Sequence, residues 1–282
     1  MQKSIALIAK LVALSIALTL TLSALSGCGG ITGVQFTKDA PQPATAQPAP
    51  SGPPPQQMAP ATDRARLHTD LAVGYYERGQ MDVAINELNQ AVAADPSYAP
   101  AYNIFGLVYA VIGDDRKAEE SFTHALALTP NDSDIHHNWG WYLCQHKREA
   151  EAIQQFEIAV QNRLYRTPEI ALVNAGRCAQ AMGDDRNAES YFKRALAAQP
   201  GNPLASYGLA VIAYKAGRYQ EARTSVRGAM QTTNPAPEVL YLGMCVEQKL
   251  GDSQAQLSYT SQLRNRYPDA PETKAITTEK CP

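Results

Sequence analysis

From residue 65 onward, small and large apolar positions recur at nearly constant spacing. Ala84, Ala118, Ala152, Ala188 and Ala222 stand 34, 34, 36 and 34 residues apart. Each is followed seven residues later by another alanine (Ala91, Ala125, Ala159, Ala195, Ala229), with Leu88, Phe122, Phe156, Phe192 or Val226 between. Twelve residues before each anchor sits a small residue: Ala72, Gly106, Gly140, Gly176 or Ala210. Steps of three, four and seven place these residues on one face of a helix. Gly79, Gly113, Gly183 and Gly217 interrupt the pattern midway, and Pro96, Pro130 and Pro200 close several units. Each period therefore predicts two antiparallel helices, brought close by small residues, filled by large ones and stopped by glycine and proline. A weaker sixth unit has Gly243, Ala255 and Tyr259 in register, and the one slip is a two-residue insertion at Thr167-Pro168.

A 34-residue period of this form resembles the tetratricopeptide repeat. The expected fold is all-α, a superhelix of six helix-turn-helix repeats at 65–98, 99–132, 133–166, 169–202, 203–235 and 236–269, with a tail at 270–282. Each unit is numbered from one, with its small residue at position 8. In this fold class positions 5, 9 and 12 line a concave groove. Position 5 carries Thr69, Asn103, His137, Val173, Tyr207 and Leu240, and position 9 carries Val73, Leu107, Trp141, Arg177, Val211 and Met244. Position 12 adds Tyr76, Ala110 and Tyr214. This lining is apolar and aromatic with one full cation, Arg177, and it suits a partner's amphipathic helix or apolar segment. A clamp for a peptide carboxylate would put Lys, Arg and Asn there instead. The alternative is that curvature closes the groove over its own lining, although exposed apolar stripes of this length usually mark contacts.

The stretch DIHHNWGWYLC, residues 134 to 144, concentrates two histidines, both tryptophans and a cysteine. Adjacent helical residues point about 100° apart, so His136 and His137 cannot share one metal without distortion. No Cys-x-x-Cys, His-Glu-x-x-His or carboxylate pair completes a site, and no metal or cofactor is expected. His136, at position 4, reads as a core histidine. Trp139, at position 7, is expected between the two helices of its own repeat, and Trp141 in the groove. Outside the repeats there is no room for a catalytic domain, and no nucleophile–base arrangement or phosphate loop appears. An enzyme with a small-molecule substrate is therefore not expected.

The amino terminus has the form of an export signal: Lys3 and Lys10, then an apolar run from Leu11 to Leu25. That run, about 15 residues, is short for a spanning helix. It ends in Leu25-Ser26-Gly27-Cys28, which resembles a bacterial lipobox, so residues 1–27 read as a lipoprotein signal and Cys28 as the lipidated first residue. Gly29 follows the cysteine where Asp would mark inner-membrane retention, which favours the outer membrane by resemblance to lipoprotein sorting. Residues 28–61 hold Pro41, Pro43, Pro48, Pro50, Pro53, Pro54, Pro55 and Pro60 among Gly, Ala, Gln and Thr, and read as a disordered tether. Its ends would lie roughly 30 Å apart as random coil and about 100 Å apart as polyproline II. Loss of residues 1–27 takes Lys3 and Lys10 from 25 basic residues, leaving 23 against 27 acidic, a formal charge of -4. Lipid rather than charge must then hold the domain at a membrane. The acidic balance, without a basic stripe interleaved with aromatics, also argues against nucleic acid.

With Cys28 lipidated, Cys144, Cys178, Cys245 and Cys281 remain, an even number in an oxidising compartment. Cys144 at position 12 and Cys178 at position 10 of the next unit sit at one level on neighbouring first helices, and bridge if their side chains face each other closely. Cys245 then has only Cys281. NWGWYLCQ and ALVNAGRCAQAMGD, with their cysteine pair, are similar to the NNYG-x-FLC and ENAG-x-C-A segments of the PilF/PilW lipoproteins of type IV pilus biogenesis. That resemblance covers about residues 62–270 and leaves out the tail around Cys281. It implies a pilotin-like factor anchored in the outer membrane, its repeats in the periplasm, assisting the secretin channel to reach, assemble in or remain stable in that membrane. The lipobox and repeats fit adaptors of outer-membrane-protein assembly or peptidoglycan synthesis equally, and only those two segments favour the pilus.

Overall fold

The computed structural model describes residues 60–278 and 281. The expected signal, Cys28 and nearly all of the expected tether lie outside the described residues. Among the described residues there are helices and no strands. Twelve helices form six antiparallel pairs: α1 (Ala61–Glu77) with α2 (Met81–Ala94), α3 (Ala99–Ile112) with α4 (Asp115–Leu128), and α5 (Ser133–Gln145) with α6 (Glu149–Gln161). There follow α7 (Pro168–Ala181) with α8 (Asp185–Ala198), α9 (Pro203–Lys215) with α10 (Tyr219–Ala229), and α11 (Pro237–Leu250) with α12 (Ser253–Arg266). A short α13 (Pro271–Ala275) and a 3₁₀ turn at Ile276–Thr278 end the chain. The expected all-α repeat fold is the observed one, and α1 starts four residues before the first sequence unit.

The close approach inside each pair follows a volume rule. A Cβ placed on Gly106, Gly140, Gly176 or Gly243 would lie 2.6, 2.9, 2.7 or 2.8 Å from the ring of Phe122, Phe156, Phe192 or Tyr259 sixteen residues later. Where the small residue is alanine, as at Ala72 and Ala210, the facing residue shrinks to Leu88 or Val226. Glycine thus admits an aromatic ring flat against the first helix, and alanine admits an aliphatic chain, so the summed volume is kept.

Position 16, at the turn between paired helices, alternates in chemistry. In repeats 2 and 4, Asp114 and Asp184 cap their own second helix, accepting from the backbone N–H of Lys117 and Asn187. In repeats 3 and 5 the same position holds arginine, which reaches back one repeat. Arg148 pairs with Glu119 at 3.2 Å, and Arg218 with Glu189 at 2.8 Å. With Arg218 and Lys193 both on it, Glu189 is held down to about 2. Lys147 adopts a left-handed backbone, φ 59°, at the turn where the other repeats use glycine.

Position 7 departs from expectation. Trp139 is buried, but its ring meets Phe122 of the preceding repeat (centroids 5.4 Å) and stacks on Tyr142 (5.3 Å), so it seals the joint between repeats. At the same position Leu71 is 41% exposed, with no earlier helix among the described residues to cover it. His136 is a core histidine as expected, with Nε2 donating to the Pro130 carbonyl at 2.8 Å and Nδ1 2.7 Å from the Gln155 amide.

The tail is a truncated seventh unit. Pro203, Pro237 and Pro271 open α9, α11 and α13 at 34-residue intervals, and α13 packs beside α11 and α12. Cys245 and Cys281 are bonded, with Cα atoms 5.8 Å apart, tying the chain end to α11.

Candidate functional site: the inner face of the first helices

Successive first helices pack on one another from α1 to α11, whereas each second helix packs on its own partner and on the next first helix. The stack therefore curves with α1, α3, α5, α7, α9 and α11 on its inner side. Position 9 forms an open stripe there. Val73, Leu107, Trp141 and Val211 are half-buried, and Arg177 is exposed. Tyr76 and Tyr207 flank this stripe, also half-buried.

The structure removes several expected residues from the groove surface. Asn103 and Val173 are buried because position 5 turns toward the next first helix. Asn138 donates from Nδ2 to Asn103 Oδ1 at 3.2 Å, and one repeat later Asn174 donates from Nδ2 to His137 Nε2 at 3.3 Å. Leu240, Met244 and Tyr214 are buried in the core of the last two repeats, and Ala275 and Ile276 of the tail pack against that core. The open position-9 stripe therefore ends at repeat 5.

His137 belongs to this internal ladder. Its Nε2 accepts from Asn174, which leaves Nδ1–H to donate to the Tyr165 hydroxyl at 2.7 Å, and its ring meets Phe156 edge-on. Burial pushes the imidazole down to about 4, so it is neutral at pH 7. The same burial pushes the Tyr165 phenol up to about 12. Tyr165 comes from the loop between α6 and α7, next to the two-residue insertion, where Leu164 is 87% exposed while Tyr165 folds inward. Sequence reasoning passed over Tyr165, Asn138 and Asn174. The two asparagines share a visible signal, Asn-x-Gly ending at the close-packing glycine.

Cys144 and Cys178 are bonded, with Cα atoms 5.9 Å apart, and join α5 to α7. Trp141 lies three residues before one cysteine and Arg177 next to the other, so the crosslink fixes the spacing of the stripe's largest ring and its cation. Such pre-organisation lowers the entropy cost of engaging a partner. Among the described residues no group of three or more His, Cys, Asp or Glu could hold a metal, and no helix is long and apolar enough to cross a membrane.

Paired helices with small-residue contacts, stacked in one direction around an apolar inner face, define a tetratricopeptide-repeat scaffold. Tetratricopeptide-repeat family models match residues 99–132 and 170–237, and a TPR repeat model matches residues 74–113. A crystal structure of PilW, described as a widely conserved type IV pilus biogenesis factor, is 31% identical, with a TM-score of 0.68 over 76% of this chain and 98% of its own. A structure of Pseudomonas aeruginosa PilF is 27% identical, with a TM-score of 0.71 over 78% and 99%. The type IV pilus assembly protein PilF of that organism is 28% identical over 219 residues, 77% of this chain and 87% of the relative. The chain belongs to the PilF/PilW family of tetratricopeptide-repeat proteins of type IV pilus biogenesis.

Proposed function

We propose that this protein is a lipid-anchored adaptor that holds a segment of the type IV pilus secretin against its inner face and helps the channel reach or assemble in the outer membrane. The observation that carries the reading is the stripe from Leu107 through Trp141 and Arg177 to Val211, half-exposed on a crosslinked scaffold in a chain of this family. A stripe of that chemistry fits an amphipathic or apolar segment of a partner. Cys28, in its lipobox context, supplies the anchor, and the proline-rich stretch lets the repeats work at a distance from it.

The test uses a deletion strain complemented with wild type, Cys28→Ser or Trp141→Ala. Secretin multimers are followed on gels of fractionated membranes. Loss of multimers in the deletion, their relocation with Cys28→Ser and their reduction with Trp141→Ala are expected. Normal multimers in the deletion strain would refute the adaptor role, and normal outer-membrane fractionation of Cys28→Ser would refute the anchor.

A further inference from the structure

We propose that a cavity between repeats 4, 5 and 6 is a seat for one bulky apolar side chain of a partner segment, with a carboxylate of that segment held by Arg177. This rests on the adaptor reading and names the chemistry of the segment held. The cavity has a volume of about 420 Å³, with Arg177, Leu204, Tyr207, Gly208, Glu238 and Val239 among its walls. That is within the range of sites that enclose a small organic group, about 300–1,000 Å³.

Its origin is visible in the repeat register. Gly208 stands at position 6, where Asn138 and Asn174 reach back to the preceding first helix. With no side chain there, the ladder stops. The ring of Phe192 instead lies so close that a Cβ on Gly208 would be 2.4 Å from it. The gap is left with an apolar wall, and Leu204, 58% exposed, stands at its mouth.

The charges give the seat a direction. Arg177 is exposed and forms no ion pair among the described residues. Glu238 contributes a negative charge to the cavity wall, close enough to Tyr207 to help burial hold that phenol above its ordinary range. A carboxylate on the bound segment is repelled from Glu238 and attracted to Arg177, so an acidic neighbour is preferred to a basic one and the segment binds in one orientation.

The purified full-length protein is titrated into three dye-labelled, end-capped alanine–glutamine helical peptides. Each has a central Phe, with Glu, Gln or Lys four residues further on. By fluorescence anisotropy the Glu peptide is expected to bind at least tenfold more tightly than the Lys peptide. Arg177→Glu should reverse that order, and Leu204→Asp, at an exposed position, should weaken all three. Equal binding of the three peptides, no binding up to millimolar concentration, or an unchanged order in Arg177→Glu overturns the proposal. Secretin assembly that needs the protein but tolerates Arg177→Glu sinks the seat and leaves the adaptor role. Charge-selective binding in a strain whose secretin assembles without the protein sinks the adaptor role and leaves the seat.

Discussion

Replacing Gly106 with alanine tests the volume rule on which every repeat depends. The new Cβ would stand 2.6 Å from Cε1 of Phe122 and 2.7 Å from Cδ1 and Cζ. Carbon atoms in good contact sit about 3.5–4.0 Å apart, so the ring must retreat by roughly 1 Å. It has nowhere to go: Phe122 is fully buried, with Trp139 and Tyr142 at centroid distances of 5.4 and 5.8 Å. Overpacking of this kind costs about 1–3 kcal/mol, and alanine returns about 1 kcal/mol of helix propensity. The expected net loss is about 0–2 kcal/mol, which for a domain of this size lowers the thermal midpoint by up to roughly 8 °C. Phe122→Leu in the same chain recreates the Ala72–Leu88 pairing of repeat 1. The double variant should therefore recover about 1 kcal/mol relative to the sum of the singles. Urea unfolding of wild type, both singles and the double variant reads this directly, provided the slopes agree. A more stable Gly106→Ala protein, or simple additivity, would refute the reasoning.

Three further outcomes are expected. Trp139→Ala should lose about 3–5 kcal/mol because it opens the joint against Phe122, whereas Trp141→Ala should melt near wild type and weaken partner binding by about 2 kcal/mol; equal melting losses would contradict the assignment of their faces. Lys147→Gly should raise stability by about 1 kcal/mol by relieving a left-handed backbone, and an unchanged urea midpoint would count against this. His137 titrates near 4 when folded against 6.5 in a free chain, so below pH 6.5 the unfolded chain takes up a proton that the native one refuses; stability falls as pH drops from 6.5 toward 4, by about 2–3 kcal/mol, and His137→Gln should flatten that part of the curve in unfolding titrations at pH 7 and 4.5.

The helix pairs were legible because the constraint is local: a small residue at position 8 and its partner sixteen residues later lie in one unit. Joints between units were less legible. The pattern of a single unit does not reveal whether a face meets its own partner or the next repeat, so Trp139 was expected on the wrong neighbour and Asn103 and Val173 on the surface. Leu240 and Met244 escaped for another reason: the tail that packs on their core holds only a five-residue helix, too short for hydrophobic periodicity to register. Tyr165 sits in a loop whose only sequence sign is a broken period. The Cys144–Cys178 pairing was readable because the insertion shifts register by the two positions that separate the cysteines within their units.

The two ends of the stack are unequal. The last repeat is closed by the tail and its crosslink, while the first leaves Leu71 uncovered. In a one-dimensional array each unit borrows stability from its neighbours, so fraying begins at repeat 1. Tension arriving along the chain through Pro60 enters at that same weak end. Peeling can run through repeats 1 and 2, but the bond between Cys144 and Cys178 acts as a ratchet stop at repeat 3. Arg177, inside the crosslinked loop, therefore stays assembled under a pull that has already unwound the helices in front of it, whereas Trp141, three residues before Cys144, lies on the side that can still peel.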